Sequence, residues 1–250
     1  ILVQEQSDYI VVPILISLGF IIAGILSLIF ARKEFNMRFL IPTKAAIIEN
    51  IEDGWHVFLN NFFVNLYSTT NIIVLGFLTN NTIVGFYSLA EKIIGAISGL
   101  FVPVTQSFYP YMSSLHQKCK GEFEDVFIRL IIVFSATCSI LFFTIYMFGH
   151  DVIKLVSGGE NSDIVDILTI LSIGIFTSPL GTLFTQAFII KKQTKRFLKV
   201  VQYTFLTNVV LIFPLVYFDS LLGMAYTVFI AQLVHMFFNT KYYFFYLRRI

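Results

Sequence analysis

Residues 57–100 read "VFLNNFFVNLYSTTNIIVLGFLTNNTIVGFYSLAEKIIGAISGL", in which two long apolar segments are separated by the polar turn "TNNT" at residues 79–82. A helix that crosses the hydrocarbon core of a bilayer needs roughly 20 apolar residues, and each of the two segments provides them. The period-2 alternation that is typical of a membrane β-barrel is absent. The stretch therefore predicts two membrane-spanning helices joined by a tight turn.

The whole chain of 250 residues has the same apolar character. It is 57% hydrophobic and 13% charged, whereas a soluble domain usually carries about 25% charged residues. This composition indicates an all-α integral membrane protein with about seven transmembrane helices. The seven predicted spans are residues 9–31, 57–79, 83–112, 126–149, 163–190, 196–218 and 221–246.

The basic residues are distributed unevenly among the loops between these spans. Fifteen of the 17 basic residues follow the odd-numbered spans, and the loops on the opposite side, at residues 79–82, 149–163 and 218–223, contain only Lys154. Because basic loops stay in the cytoplasm, we expect the C-terminus inside the cell and Ile1 outside. The remaining basic residue, Lys92, lies within a predicted span.

The segment after the first span is less apolar than the rest. Between Lys44 and Trp55 the apolar residues recur at helical spacing with acidic residues among them, which predicts an amphipathic helix on the cytoplasmic membrane surface; a plain soluble linker is the alternative. We therefore divide the chain into three parts. These are residues 1–31 as the last helix of an incomplete N-terminal lobe, residues 32–56 as a cytoplasmic linker, and residues 57–250 as a six-helix C-terminal lobe.

Several amide and hydroxyl side chains lie inside the second span. Asn61, Asn65 and Ser68 are spaced four and three residues apart and so share one helix face, and Asn71 follows in the same span. Amides form hydrogen bonds between helices in membrane bundles, so one interpretation is helix packing. The other is a wet cavity that binds a substrate rich in hydroxyl groups.

Glu91 and Lys92 stand about nine residues, or roughly 14 Å, inside the third predicted span. A charge at the centre of a bilayer costs at least about 2.5–3.5 kcal/mol, so both side chains should face protein or water. Adjacent side chains on a helix do not face each other, and we expect Ser88, Gly95 and Gly99 to continue the face of Lys92. Either the two charges form salt bridges with other helices, or they handle a substrate or an ion.

Sequence motifs of enzymes and of metal sites are absent from the chain. It contains no HExxH, no CxxC, no glycine-rich phosphate loop and no acidic metal cluster, and its two cysteines, Cys119 and Cys138, form no recognisable pattern. These absences argue against an enzyme and against a bound cofactor.

The region from residue 54 to residue 115 resembles the polysaccharide flippases of the MOP exporter superfamily, which are similar in topology to the drug-exporting MATE proteins. The stretches that carry the resemblance are "GWHVFLNNFFVNLYSTTNIIVLGFLTNNTIVGFYSLAEKI", residues 54–93, and "PVTQSFYPYMSSL", residues 103–115. The resemblance implies two six-helix lobes around a central, often cationic cavity. This chain would supply the sixth helix and the whole C-terminal lobe.

The resemblance also implies a function. Such proteins carry undecaprenyl-diphosphate-linked oligosaccharide repeat units across the bacterial plasma (inner) membrane for the synthesis of surface polysaccharide such as lipopolysaccharide. In that picture Lys92 attracts the diphosphate, and Asn61, Asn65 and Gln106 meet sugar hydroxyls. A coupling ion, H⁺ or Na⁺, would act through Glu91, whereas Asn71 stands where relatives are expected to carry an acid.

The implied partners are the lipid-linked oligosaccharide, membrane lipid and polysaccharide assembly proteins, with no role for nucleic acid. Two alternatives stay open at this point. One is a multidrug or metabolite antiporter of the same superfamily, coupled to a cation. The other, from another class, is a membrane-embedded polysaccharide polymerase or acyltransferase.

Overall fold

The computed structural model describes residues 11–35, 42–118 and 120–247, and within these residues every regular element is helical. The elements are α1 (Val11–Phe35), α2 (Lys44–Leu78), α3 (Asn81–Gly99), α4 (Phe101–Lys118), α5 (Lys120–Ser157), α6 (Ser162–Leu171), α7 (Gly174–Ile190), α8 (Thr194–Phe218), α9 (Gly223–Tyr242) and a π-helical turn (Tyr243–Leu247).

Five helical segments of the described chain are long and apolar enough to cross a membrane. They are Asn61–Leu78, Asn81–Lys118, Gly121–Ser157, Ser162–Ile190 and Thr194–Phe218. These segments confirm the prediction of an all-α membrane protein. The first and seventh predicted spans are helical as well, as α1 and α9, but they are not among these five.

The chain divides into two compact units, Ile1–Ile51 and Glu52–Ile250. The division falls inside α2, close to residue 57, where the sequence predicts that the six-helix lobe begins. The predicted surface helix and the second predicted span form one continuous helix of 35 residues. No proline interrupts this segment, and the glycine at position 54 is not enough to end a helix.

Two of the predicted spans consist of two helices each. The third divides at Leu100 into α3 and α4. The cause is Pro103 in the first turn of α4, because proline has no N–H to donate to the carbonyl of Gly99. The fifth divides at residues 172–173 into α6 and α7, where tight turns replace helical bonds, as in the hydrogen bond from Ser172 N to Thr169 O at 3.3 Å. Each pair together is one segment that is long and apolar enough to cross a membrane.

The predicted outer loop at residues 149–163 is largely helical, so this prediction is wrong in extent. Helix α5 continues to Ser157 through a kink at Phe148, where φ is −114° and ψ is 16°. The true loop contains Gly158 at a φ of +74°, a conformation that suits glycine. The residues from Asp151 to Ser157 are helical because they carry no breaker before "GG" at residues 158–159.

Helix α7 lies at the centre of the second unit. It contacts α3, α4, α5, α8 and α9, and ten of its 17 residues are buried. The side chain of Gln186 donates a hydrogen bond of 3.1 Å to the backbone oxygen of Thr105, which ties α7 to α4. Helices α8 and α9 pack extensively against each other.

A buried ion pair joins three elements at one end of the bundle. Lys191, at the end of α7, pairs with Glu124 of α5, and the side chain of Lys191 is 2% exposed. The hydroxyl of Tyr243 donates a 2.8 Å hydrogen bond to the other oxygen of Glu124. The ammonium of Lys191 also lies over the rings of Phe123 and Tyr243. A charge placed this deeply requires such compensation.

Candidate functional site

Two cavities with several polar side chains in their linings lie next to each other within the second unit. The first, here named the Glu91 cavity, has a volume of about 300 Å³. The second, named the His235 cavity, has a volume of about 230 Å³. Both are lined by Ser178 of α7 and Gln232 of α9, so polar groups continue from one cavity to the other.

The Glu91 cavity owes its space to glycines on α3. Gly95 and Gly99 follow Glu91 at intervals of four residues, and all three line the cavity. Residues four apart stand above one another on a helix, and glycine leaves room there. The sequence assigned these glycines to the face of Lys92, but Lys92 is exposed and does not line the cavity. The interval of four residues explains why they accompany Glu91.

Gly174 of α7 allows three helices to meet beside this cavity. A Cβ atom at this position would lie 2.9 Å from Cγ2 of Ile94 and 3.5 Å from Nε2 of Gln232. The hydroxyl of Ser98 donates a 3.4 Å hydrogen bond to the backbone oxygen of Gly174. Because Gly174 has no side chain, α3 and α9 can both approach α7.

Two residues that line the Glu91 cavity have buried amide oxygens without a hydrogen-bond partner within the described chain. These oxygens are Oδ1 of Asn71, whose residue is 1% exposed, and Oε1 of Gln232. A buried carbonyl without a partner is costly, and in a native structure such a group needs an explanation, for example local strain, a water or an ion. Glu91, half-buried, supplies a carboxylate to the same cavity.

The His235 cavity is lined by threonine hydroxyls that donate to their own helices. Thr182 donates to Ser178 O at 2.9 Å, Thr185 to Gly181 O at 2.8 Å, and Thr204 to Val200 O at 3.0 Å. A hydroxyl whose hydrogen is used in this way presents its lone pairs as acceptors. Oγ1 of Thr204 also lies 3.2 Å from Nδ1 of His235, which joins α8 to α9.

The predicted site residues do not all come together. Asn71 and Glu91 share the Glu91 cavity. Asn61 and Asn65 are exposed and line neither cavity, and the amide nitrogen of Asn65 donates to the backbone oxygen of Asn61 at 2.9 Å. Gln106, like Lys92, is exposed outside both cavities. Within the described residues neither Glu91 nor Lys92 forms an ion pair.

Sequence reasoning missed the contribution of α9. Gln232 and His235 are three residues apart and so share a face, and that face packs over Gly174 and Gly181 of α7. The spacing of these two polar residues within an apolar helix could have indicated that α9 contributes to the site. Among the described residues no group of three His, Cys, Asp or Glu side chains could hold a metal ion. The polar side chains that line the two cavities are mostly amides and hydroxyls.

Comparison with known proteins finds that the chain is similar to proteins named for polysaccharide biosynthesis and for O-antigen transport. Residues 1–116 match the family described as "Polysaccharide biosynthesis protein". A protein of Escherichia coli K12 named for O-antigen transport is 30% identical over 235 residues, which cover 91% of this chain and 55% of the relative. A Shigella dysenteriae protein of the same name is 23% identical over 242 residues, 96% of this chain and 60% of that relative.

A more distant relative carries a related name. A Haloferax volcanii protein named as a flippase is 30% identical over 102 residues, which cover 41% of this chain and 21% of the relative. The chain therefore spans little more than half the length of the two O-antigen relatives. No solved structure matches it.

Proposed function

We propose that the chain forms part of a carrier for lipid-linked oligosaccharides, because residues 1–116 match the family described as "Polysaccharide biosynthesis protein" and the matched relatives are named for O-antigen transport or as a flippase. The cargo is an undecaprenyl-diphosphate-linked repeat unit, which the carrier moves across the bacterial plasma membrane for surface polysaccharide synthesis. The observation that carries this proposal is the similarity to O-antigen transporters over 235 residues.

The architecture supports a carrier. Four of the five segments that are long and apolar enough to cross a membrane, together with α9, line the two cavities, and carriers are commonly built from helical lobes that bind their substrate near mid-membrane. We propose that residues 57–250 form the C-terminal lobe of a two-lobed carrier, that residues 1–31 contribute the last helix of the other lobe, and that residues 32–56 link them.

The exposed polar side chains provide contacts for the cargo outside the two cavities. Lys92 is exposed on α3 and can meet the diphosphate through a charge-assisted hydrogen bond. Asn61, Asn65 and Gln106 are exposed as well and can meet sugar hydroxyls. We assign Asn71 and Glu91 to the interior cavity, away from the diphosphate, because an acidic side chain repels it.

The membrane orientation follows from charge. Fifteen of the 17 basic residues lie on one side of the predicted spans, and this supports a cytoplasmic C-terminus in the plasma membrane. Assembly proteins that make or polymerise the repeat unit are the expected protein partners. Since the matched relatives are named for transport or flipping, transport stands ahead of an enzymatic role and of drug export.

Complementation of a bacterium that lacks its own oligosaccharide flippase tests the proposal. We expect the wild-type protein to restore surface polysaccharide and Lys92→Ala to lower it about tenfold or more, since a hydrogen bond to a charged group contributes about 1.5–3 kcal/mol. The matched control is Lys154→Ala, because Lys154 is exposed and pairs with Glu160 in the short α5–α6 connection. Unchanged polysaccharide with Lys92→Ala at normal protein levels would remove Lys92 from the site.

A further inference from the structure

Basic residues collect where α8 begins and α9 ends. These two helix ends lie at the same end of the bundle, because a short turn at residues 219–222 joins the helices at the other end. Eight of the 17 basic residues lie at positions 191–199 and 241–249, and after Asp166 the chain has no acidic residue other than Asp219, which lies in the distant turn. Glu124 of α5 neutralises Lys191 alone. The remaining positive charge attracts anions to this end of the bundle.

Arg196, in the first turn of α8, is half-buried and has no counterion among the residues that the structure describes. Its Cζ lies 5.0 Å from the centroid of the Tyr246 ring, so the guanidinium is held against an aromatic face. Its Nη1 is buried and has no hydrogen-bond partner in the described chain. A guanidinium that is partly removed from water without a counterion is costly. An anion at its open edge would offset this cost, and the planar guanidinium suits phosphate oxygens.

A ladder of aromatic rings extends from Arg196 toward the middle of α9. The ring centroids of Tyr246 and Tyr242 lie 5.8 Å apart, and those of Tyr242 and Phe238 lie 6.2 Å apart. Phe238 stacks in turn on Tyr203 of α8 at 4.7 Å. Tyrosine side chains are typical of the zone between lipid headgroups and hydrocarbon. The ladder therefore places Arg196 at the level of the headgroups.

A stripe of exposed apolar side chains continues this surface along α8. Residues three or four positions apart share a helix face, and the exposed residues of this face begin with Tyr203 and continue with Leu206, Val210 and Phe213. Arg196 and Lys199 stand seven and four residues before Tyr203, at the charged end of the same face. The stripe is about 15 Å long, which is half of a hydrocarbon core of about 30 Å. Its length thus matches one leaflet.

We propose that this face of α8 binds an anionic phospholipid, with the headgroup phosphate on Arg196 and one acyl chain along the stripe from Tyr203 to Phe213. The outward edge of the guanidinium donates hydrogen bonds to the phosphate, and Tyr246 holds the guanidinium in place. Lys199 adds a second positive charge one turn further along α8. A free phosphate ion would meet the charged end only and would leave the apolar stripe unused.

The lipid site goes beyond the proposed transport and depends on no property of the cargo. Only its assignment to the cytoplasmic leaflet rests on the proposed function, because it uses the orientation given there. Binding is therefore measured without oligosaccharide. A protein that binds the lipid but exports no polysaccharide would overturn the transport proposal alone, and the reverse result would overturn the lipid site alone.

The test is native mass spectrometry of the full protein purified in detergent and titrated with dioleoylphosphatidylglycerol. We expect saturable binding that Arg196→Gln weakens about tenfold or more, since hydrogen bonds to charged groups are among the strong ones. Dioleoylphosphatidylcholine has the same acyl chains but a choline that cancels the charge of the phosphate, so it should bind more weakly. Equal affinity for the two lipids, or unchanged affinity in Arg196→Gln, would overturn the proposal.

The matched control is Lys195→Gln. It removes the same charge one residue earlier, but the side chain of Lys195 is exposed and points about 100° away from that of Arg196 around the helix. This variant should keep the wild-type affinity within about twofold, because an exposed charge contributes little. A loss equal to that of Arg196→Gln would mean diffuse attraction by the basic residues, against a defined site.

Two further measurements examine the headgroup contact and the source of the phosphate. Arg196→Lys keeps the charge but loses the planar donor edge, and should bind the lipid about threefold to tenfold more weakly. Inorganic phosphate at about a hundredfold molar excess should not displace the lipid, because burial of the acyl chain adds to its affinity. Wild-type affinity in Arg196→Lys, or displacement by equimolar phosphate, would contradict the proposal. Size-exclusion chromatography of each variant identifies misfolded protein.

Discussion

At the scale of single residues, Gly174 is a position where three helices meet closely. Its missing side chain lets Ile94 of α3 and Gln232 of α9 lie against α7. Both cavities depend on this approach, because Gln232 lines each of them. Glu91 and Lys92 are also separated at this scale: although adjacent in sequence, one lines a cavity and the other is exposed.

Gly174→Ala should lower the thermal stability of the protein in detergent. The new Cβ would lie 2.9 Å from Ile94, and overpacking typically costs about 1–3 kcal/mol, which exceeds the gain of up to about 1 kcal/mol in helix propensity. The control is Gly85→Ala on α3, where a Cβ meets nothing within 4 Å. That variant should be as stable as the wild type or slightly more so. Equal melting temperatures for Gly174→Ala and Gly85→Ala would show that the close approach does not exist.

At the scale of helices, the predicted spans agree with the observed helices where the length of the apolar segment sets the helix. They differ where a local break divides an apolar segment into two helices. Five of the seven predicted spans correspond to helices that begin within three residues of the expected start, whereas α2 and α5 both start earlier and α5 also ends later. The continuation of α5 to Ser157 could not be predicted from hydropathy, because its last turns carry charges.

The candidate site was predicted less completely than the fold. Asn71 and Glu91 could be identified because a polar or charged side chain within an apolar span is costly and is therefore expected to face protein or water. Their common cavity could not, because it depends on Gly174 and Gln232, which lie far away in the sequence and meet α3 only in the folded protein. Lys191 was counted with the cytoplasmic basic residues, and its burial beside Glu124 likewise arises from long-range packing.

The Glu124–Lys191 pair should behave as one unit that joins α5 to the end of α7. Removal of one partner leaves an uncompensated buried charge, so Glu124→Gln or Lys191→Met alone should each cost about 3–5 kcal/mol. The double variant should recover much of that loss, because neither charge is then present. A double-mutant cycle of thermal unfolding in detergent measures this coupling, and additive losses would contradict the buried pair.

At the scale of the whole molecule, the account predicts which side of the membrane each loop faces. Single cysteines at Asn80 and Gly158, introduced after both native cysteines are replaced by alanine, should react with an impermeant thiol reagent added outside intact cells. A cysteine at Lys195 should react only after the cells are opened, because its loop is basic and stays inside. Labelling of position 80 or 158 from the cytoplasm would contradict the predicted topology.

The most direct measurement of the central claim is lipid-linked oligosaccharide translocation in vesicles that contain the purified full protein. Vesicles are prepared with the labelled substrate in the inner leaflet, and a membrane-impermeant reagent that modifies sugars reports its arrival outside. The account predicts that sugar becomes accessible much faster than in protein-free vesicles, and that Lys92→Ala slows this about tenfold while Lys154→Ala does not. Accessibility at the protein-free rate with well-folded wild-type protein would contradict the proposal that the protein is an oligosaccharide flippase.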